Sequence, residues 1–149
     1  MSDTNHDSSI HRIELNLSYL VRWLEANHRR RNYPLERAHY LILRLLTQES
    51  PQSSGILAVQ LGLDSSTVTR QLKAMMEQQL IDRLPDPSDR RGCLINATAL
   101  GQEKFEIMKK QRCANTEKIF SDWDDEEKVS LADLLTKLNK SISDNLDGN

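Results

Sequence analysis

The run Leu61-Gly62-Leu63-Asp64-Ser65-Ser66-Thr67-Val68-Thr69-Arg70 carries a helix stop and a helix start within four residues. Gly62 stands where a left-handed residue would close a preceding helix, since glycine meets no Cβ clash at positive φ. Asp64 then offers a carboxylate to the open amides of the next helix, as N-cap residues do. Upstream, Ser53 or Ser54 is a cap for a short helix through Ile56, Leu57, Ala58 and Leu61. Downstream, the helix opened by Asp64 runs to about Gln78. Two short helices joined by a glycine-containing turn make a helix-turn-helix.

The second of these helices has two unlike faces. Val68, Leu72 and Met75 fall on one side, at the spacing of three and four that marks a buried stripe. Ser66, Arg70 and Lys73 project on the other, flanked by Thr67 and Thr69. Hydroxyls and cations near a helix N-terminus suit phosphate oxygens and base edges in a groove. A capping cluster followed by an ordinary solvated face gives the same pattern, and the segment alone does not separate the two.

Beyond Leu80 the period changes. Ile81–Leu84 and Cys93–Ala97 are short strand candidates around Pro85-Asp86-Pro87-Ser88-Asp89-Arg90-Arg91-Gly92, a stretch rich in turn formers. This is a β-hairpin with a charged tip, a wing placed directly after the helix-turn-helix. Two arginines at such a tip are suited to a minor groove. The neighbouring aspartates then serve as partners that fix a guanidinium through paired hydrogen bonds.

Helices flank this centre. Ile10, Ile13, Leu17, Leu20, Val21 and Leu24 form one face of an amphipathic helix ending near Arg31, before Tyr33-Pro34. A second helix from about Leu35 to Ser50 is expected to turn Ala38, Leu41, Ile42, Leu45 and Leu46 inward. After Thr98-Ala99-Leu100-Gly101 comes a long helix with Phe105, Met108 and Ile119. Asp124 with Glu127 makes a capping box, and the last helix carries Leu131, Leu134, Leu135, Leu138, Ile142 and Leu146. Apolar stripes at both chain ends, around a module with its own small core, point to a shared dimer interface.

Charge and composition agree with a helix-rich protein. The 149 residues carry 20 basic and 22 acidic side chains, a net charge of -2. Residues 1–97 hold 12 basic and 11 acidic of these, while residues 98–149 hold 8 and 11. The positive charges bunch at Arg29-Arg30-Arg31, at Arg70 with Lys73, and at Arg90-Arg91. Phosphate binding needs such local potential rather than a basic total, although any single cluster is equally a solvated face. No run approaches the roughly 20 apolar residues of a membrane span, and the polar start lacks a signal peptide's apolar stretch. Two cysteines, Cys93 and Cys113, make no disulfide framework, so a cytoplasmic location is expected. There is no internal repeat or inter-domain linker.

Catalytic and metal chemistry find no foothold. His6, His11, His28 and His39 lack ligand spacing, and neither a phosphate loop nor a paired nucleophile and base is present. No cofactor and no metal are expected. Cys93 lies two residues from Arg91, and a nearby cation lowers a thiol pKa. It reads nonetheless as a small apolar strand residue rather than a required redox sensor.

With Leu80-Ile81-Asp82-Arg83, Asp86-Pro87-Ser88-Asp89-Arg90-Arg91-Gly92, Thr98 and Gly101 added to the opening run, residues 50–101 resemble the MarR family of bacterial transcriptional regulators. The resemblance implies a mainly α protein with a small β-hairpin wing, a winged helix-turn-helix between N- and C-terminal dimerisation helices. It divides the chain into a dimerisation helix at 1–34, a DNA-binding lobe at 35–97 and two dimerisation helices at 98–149. The implied function is a homodimeric repressor on a pseudo-palindromic site in double-stranded DNA. Carried over by position, Ser65, Ser66, Thr67, Thr69, Arg70 and Lys73 belong to the major-groove helix, and Asp89, Arg90 and Arg91 form the wing contact; Ser54 is a further candidate DNA-binding residue. Arg91 is the minor-groove residue and Asp89 its orienting partner. A small aromatic or anionic effector is also implied, for which Trp23, Arg30, Tyr33, His39 and Tyr40 are the candidate lining. The chain departs from the family at Ser88, where a basic residue is common, and at Gln79, where glycine is common. The alternative is a winged-helix protein–protein adaptor without DNA binding, which would have little use for Arg90-Arg91 beside Asp89.

Overall fold

The computed structural model describes residues 3–147, in two compact units meeting in sequence at Tyr33 and Pro34. The first unit is one helix, α1 (Asp3–Arg29). Its apolar stripe stays open to solvent, with Ile10, Ile13, Leu20, Val21 and Leu24 all exposed.

The second unit contains α2 (Arg37–Gln48), β1 (Gln52–Ser53), α3 (Ser54–Leu61), α4 (Ser65–Glu77), β2 (Ile81–Pro85), β3 (Cys93–Ala97), α5 (Ala99–Ile119) and α6 (Asp125–Asp147). The strands form an antiparallel sheet in the order β1-β3-β2. Ile81 pairs with Ala97 and Pro85 with Cys93, while Gln52 pairs with Ile95 and Ser53 with Leu94. Around the sheet, α2 packs on α5, β3, α3 and α4. Ile42, Leu43, Leu46, Leu57, Val68, Leu72, Met75, Leu80, Ile95, Phe105 and Met108 fill the shared core.

Two expectations change. The strand β1 carries no periodicity of its own, being two residues long, and it exists because the edge of β3 offers it a ladder. The helix α2 is also rotated from its expected face: Leu41 is 40% exposed, while His39, Tyr40 and Leu43 point inward. Aromatic packing accounts for part of the rotation. Tyr40 stacks on Phe105 of α5 with ring centroids 5.1 Å apart, and the Arg112 guanidinium lies 4.9 Å over the Tyr40 ring.

The local signals act as expected. Gly62 sits at φ 61°, and the amides of Gly62 and Leu63 bond the carbonyls of Val59 and Ala58 at 3.1 and 3.0 Å. That pattern is a Schellman motif, which satisfies the Ala58 and Val59 carbonyls of the last turn. At the other end of the chain Glu127 N–H donates to Asp124 at 2.8 Å and Asp124 N–H to Glu127 at 3.0 Å, closing the capping box.

Candidate nucleic-acid interface

The helix α4 is fastened at both ends. At its start Asp64 Oδ1 accepts from Thr67 N at 2.8 Å and from Ser66 Oγ at 2.5 Å, and Oδ2 accepts from Thr67 Oγ1 at 2.7 Å. Three hydrogen bonds to the charged form hold this carboxyl well below the usual aspartate range, the Ser66 hydroxyl contributing most. One turn on, Thr69 Oγ1 donates to the Ser65 carbonyl at 2.7 Å. At its end α4 closes in a second Schellman motif, with Gln79 N–H on Met76 O and Leu80 N–H on Met75 O, both at 2.9 Å. Gln79 takes the left-handed position at φ 59°, so the departure from glycine leaves the turn's shape intact and strains it.

That turn is tied to the wing and to α5. Thr98 Oγ1 donates to Gln79 O at 2.7 Å and accepts from Gly101 N at 3.0 Å, while Thr98 N–H donates to Leu80 O at 3.1 Å. Gly101 is the residue that permits this approach. A Cβ there would overlap the Leu80 carbonyl oxygen and lie 3.1 Å from Leu43 Cδ2. The end of α4, both wing strands and the start of α5 therefore meet at one hydrogen-bonded knot.

At the wing tip, Asp86 Oδ1 accepts from the amide and hydroxyl of Ser88 at 2.8 and 2.7 Å. These bonds, the hydroxyl's first, hold the Asp86 carboxyl below its ordinary value. Asp89 Oδ1 accepts from the Arg91 amide at 2.9 Å, and Gly92 N–H donates to Asp89 O at 3.0 Å. Asp89 thus orients Arg91 through its backbone, whereas paired bonds to the guanidinium were expected. A carboxylate two residues upstream reaches the amide in a tight turn without ordering a long side chain.

The cations are left available. Among the described residues the ion pairs are Lys109–Glu106 and Lys128–Asp125, and neither involves Arg70, Lys73, Arg90 or Arg91. All four are exposed, as are Ser54, Ser65, Ser66, Thr69 and Asp89, while Thr67 is half-buried. The basic side chains therefore keep their full donor capacity. Asp64 was read from the sequence as a cap alone, but its bonds also decide which way the neighbouring hydroxyl protons point. Only the Asp64-x-Ser66-Thr67 spacing could have announced that.

The candidate effector residues fall in different settings. In the first unit Trp23 is 62% exposed, Arg30 is exposed, and Tyr33 lies 5.3 Å from the His28 ring. In the second, Tyr40 is packed as described, and His39 is 1% exposed with both ring nitrogens lacking a hydrogen-bond partner among the described residues. No group of three His, Cys, Asp or Glu among the described residues is placed to hold a metal ion. Cys93 and Cys113 are free and exposed, and no helix among the described residues is long and apolar enough to cross a membrane.

Known proteins share both sequence and fold with this chain. A sequence model of the MarR family matches residues 35–93. The uncharacterized HTH-type transcriptional regulator YxaD of Bacillus subtilis (strain 168) is 34% identical over 135 residues, spanning 89% of this chain and 94% of YxaD. Among solved structures, a MarR family protein from Bacillus stearothermophilus superposes with TM-score 0.69 at 24% identity, over 89% of this chain and 97% of that one. The PcaV transcriptional regulator of Streptomyces coelicolor, solved with its natural ligand, has TM-score 0.69 at 19% identity, over 84% and 92% of the two chains. At those identities the two structures establish the fold alone.

Proposed function

The chain belongs to the MarR family of transcriptional regulators, which are not enzymes, and we propose that it is a homodimeric repressor that binds a pseudo-palindromic operator in double-stranded DNA. One observation carries this reading. A helix-turn-helix whose second helix exposes Ser66, Thr69, Arg70 and Lys73 is joined through the Gln79–Thr98 knot to a wing whose arginines have no acidic partner among the described residues. Residues 35–97 are the DNA-binding lobe. Its α4 enters the major groove with Ser54 and Ser65 near the backbone, and Arg90 and Arg91 reach the flanking minor groove from the wing. Dimerisation falls to residues 1–34 and 98–149. It is supported separately by the open stripe of α1 and by an apolar groove between α5 and α6, lined by Phe120, Leu131, Ala132 and Leu135 and about 430 Å³ in volume. Two copies would present their α4 helices about one helical turn of DNA apart. The protein acts in the cytoplasm, where that DNA lies.

The test is fluorescence anisotropy with DNA from upstream of the protein's own gene, at about 50 and 200 mM salt, where phosphate contacts predict an affinity loss of several orders of magnitude. A random duplex is the control. Tight, salt-steep binding that favours the upstream DNA is the expected result. No binding at either salt would overturn the proposal and favour a protein–protein adaptor.

An effector completes the proposal. PcaV was solved with a ligand, and in this chain His39 holds two buried nitrogens that gain a partner if a phenolic or carboxylate compound reaches them. A compound that favours another spacing of the two DNA-binding lobes would lower operator affinity by shifting populations. Calorimetry over a panel of phenols and carboxylates is expected to give at least one saturable heat, and uniform silence would remove the effector from the proposal.

A further inference from the structure

Two hydroxyl protons on the exposed face of α4, those of Ser66 and Thr69, are already committed. Ser66 Oγ donates to Asp64 Oδ1 at 2.5 Å, and Thr69 Oγ1 donates to the Ser65 carbonyl at 2.7 Å. Neither partner has a proton to give back. A backbone carbonyl is an acceptor only, and so is the Asp64 carboxylate, which three hydrogen bonds hold in its ionised form. The direction of each bond is therefore forced, and what Ser66 and Thr69 turn outward is the pair of lone pairs that remains on each oxygen.

A surface of acceptors is choosy in a major groove. Guanine presents O6 and N7 there and thymine O4, all acceptors; cytosine presents N4–H₂ and adenine N6–H₂, the groove's donors. Phosphate oxygens are acceptors too, and the Asp64 charge beside them adds repulsion. To donate to guanine, thymine or phosphate, Ser66 would have to strip Asp64 of a charge-assisted bond, the stronger class. Arg70 and Lys73 supply the opposite chemistry one turn along, since both expose donors and have no acidic partner among the described residues.

Resting on the DNA-binding reading above, we propose that Ser66 and Thr69 are specificity residues acting as hydrogen-bond acceptors. They place an exocyclic amino group, on cytosine or adenine, beneath the first two turns of α4. Asp64 and the Ser65 carbonyl are the positioning groups that set this polarity. Guanine and phosphate contacts fall to Arg70 and Lys73.

The experiment is a binding selection with the full-length protein on a duplex library randomised across about two helical turns, followed by single-base chemistry on the winners. Each enriched cytosine or adenine is replaced in turn by its analogue lacking the amino group, pyrimidin-2-one or purine, and binding is measured with wild type, Ser66→Ala, Thr69→Val and Thr69→Ser. Wild type is expected to lose about tenfold in affinity on removal of the amino group at one position per hydroxyl. Ser66→Ala and Thr69→Val should each become indifferent to that change at their own position, with unchanged salt dependence. Thr69→Ser, which returns the hydroxyl, should restore it. The inference is overturned if wild type binds every analogue as well as the parent base. It is equally overturned if the variants lose affinity on all sequences alike with a shallower salt slope, the mark of a phosphate contact. An absence of salt-steep binding to any duplex would instead sink the DNA-binding reading, and this inference with it. The wild-type arm with base analogues does not depend on any variant folding.

Discussion

Gln79 pays for its place with backbone strain, since it holds φ 59° with a side chain that clashes there as glycine would not. Relief of a left-handed residue is worth roughly 1–2 kcal/mol, offset by about 0.5–1 kcal/mol from the freer unfolded glycine. Gln79→Gly is therefore expected to raise stability by about 0.5–1 kcal/mol, read as a higher urea midpoint at constant slope. The bond from Thr98 survives the change because it goes to the Gln79 carbonyl. Gly101 shows the opposite case. It lies in a helix, where alanine is normally preferred, yet a Cβ would collide with the Leu80 backbone. Gly101→Ala should destabilise by about 1–3 kcal/mol, the usual cost of overpacking, and a midpoint equal to wild type would mean the knot is looser than it looks. These two residues were both visible in the sequence, Gln79 as a departure and Gly101 as a helix-start signal. What made each matter, the Thr98 hydroxyl for Gln79 and the Leu80 carbonyl for Gly101, was not.

The elements differ in how openly the sequence declares them. The cap and stop signals of α3 and α4 act over three to five residues, so Gly62 and Asp64 could be assigned by inspection. The sequence left Ser53 and Ser54 open as the α3 cap, and the fold gives it to Ser53, which accepts from Ile56 N at 3.2 Å. The wing strands were marked by their turn formers. Helix α2 misled, because its apolar residues outnumber one face and the pattern does not say which of Leu41 and Leu43 is inside. Contact with α5, through Tyr40 and Phe105, settles it. The wing carries a prediction of its own. Arg91 has its amide held by Asp89 and its guanidinium without an acidic partner among the described residues. Arg91→Ala should weaken binding to most sequences and lower the salt slope by about one, as expected for loss of a single backbone or minor-groove cation. The wing assignment fails if affinity and slope both stay put.

At the scale of the whole molecule, apolar surface is left over. Leu134, Leu146 and Val129 of α6 are at least 60% exposed, and Trp23 and Val21 of α1 are exposed as well. A second copy of the chain is the proposed partner for this exposed apolar surface. Leu134→Glu is expected to yield a folded monomer by sedimentation, with operator binding weakened because one α4 alone reads half a site. A variant that sediments as a dimer would place the interface elsewhere. Circular dichroism should match wild type, since Leu134 lies outside the core of its own unit.

Sequence alone dictates the caps, the Gly62 turn, the hairpin and the polar face of α4. Each depends on groups within a few residues of one another, whose geometry is set once a helix or turn begins. Only the folded chain decides that Gln52–Ser53 becomes a strand against Ile95 and Leu94, that Thr98 closes on Gln79, and that His39 turns inward with its nitrogens unpartnered among the described residues. Those outcomes depend on which surfaces meet, and a pattern of hydrophobicity states how much surface must be buried without naming the partner that buries it.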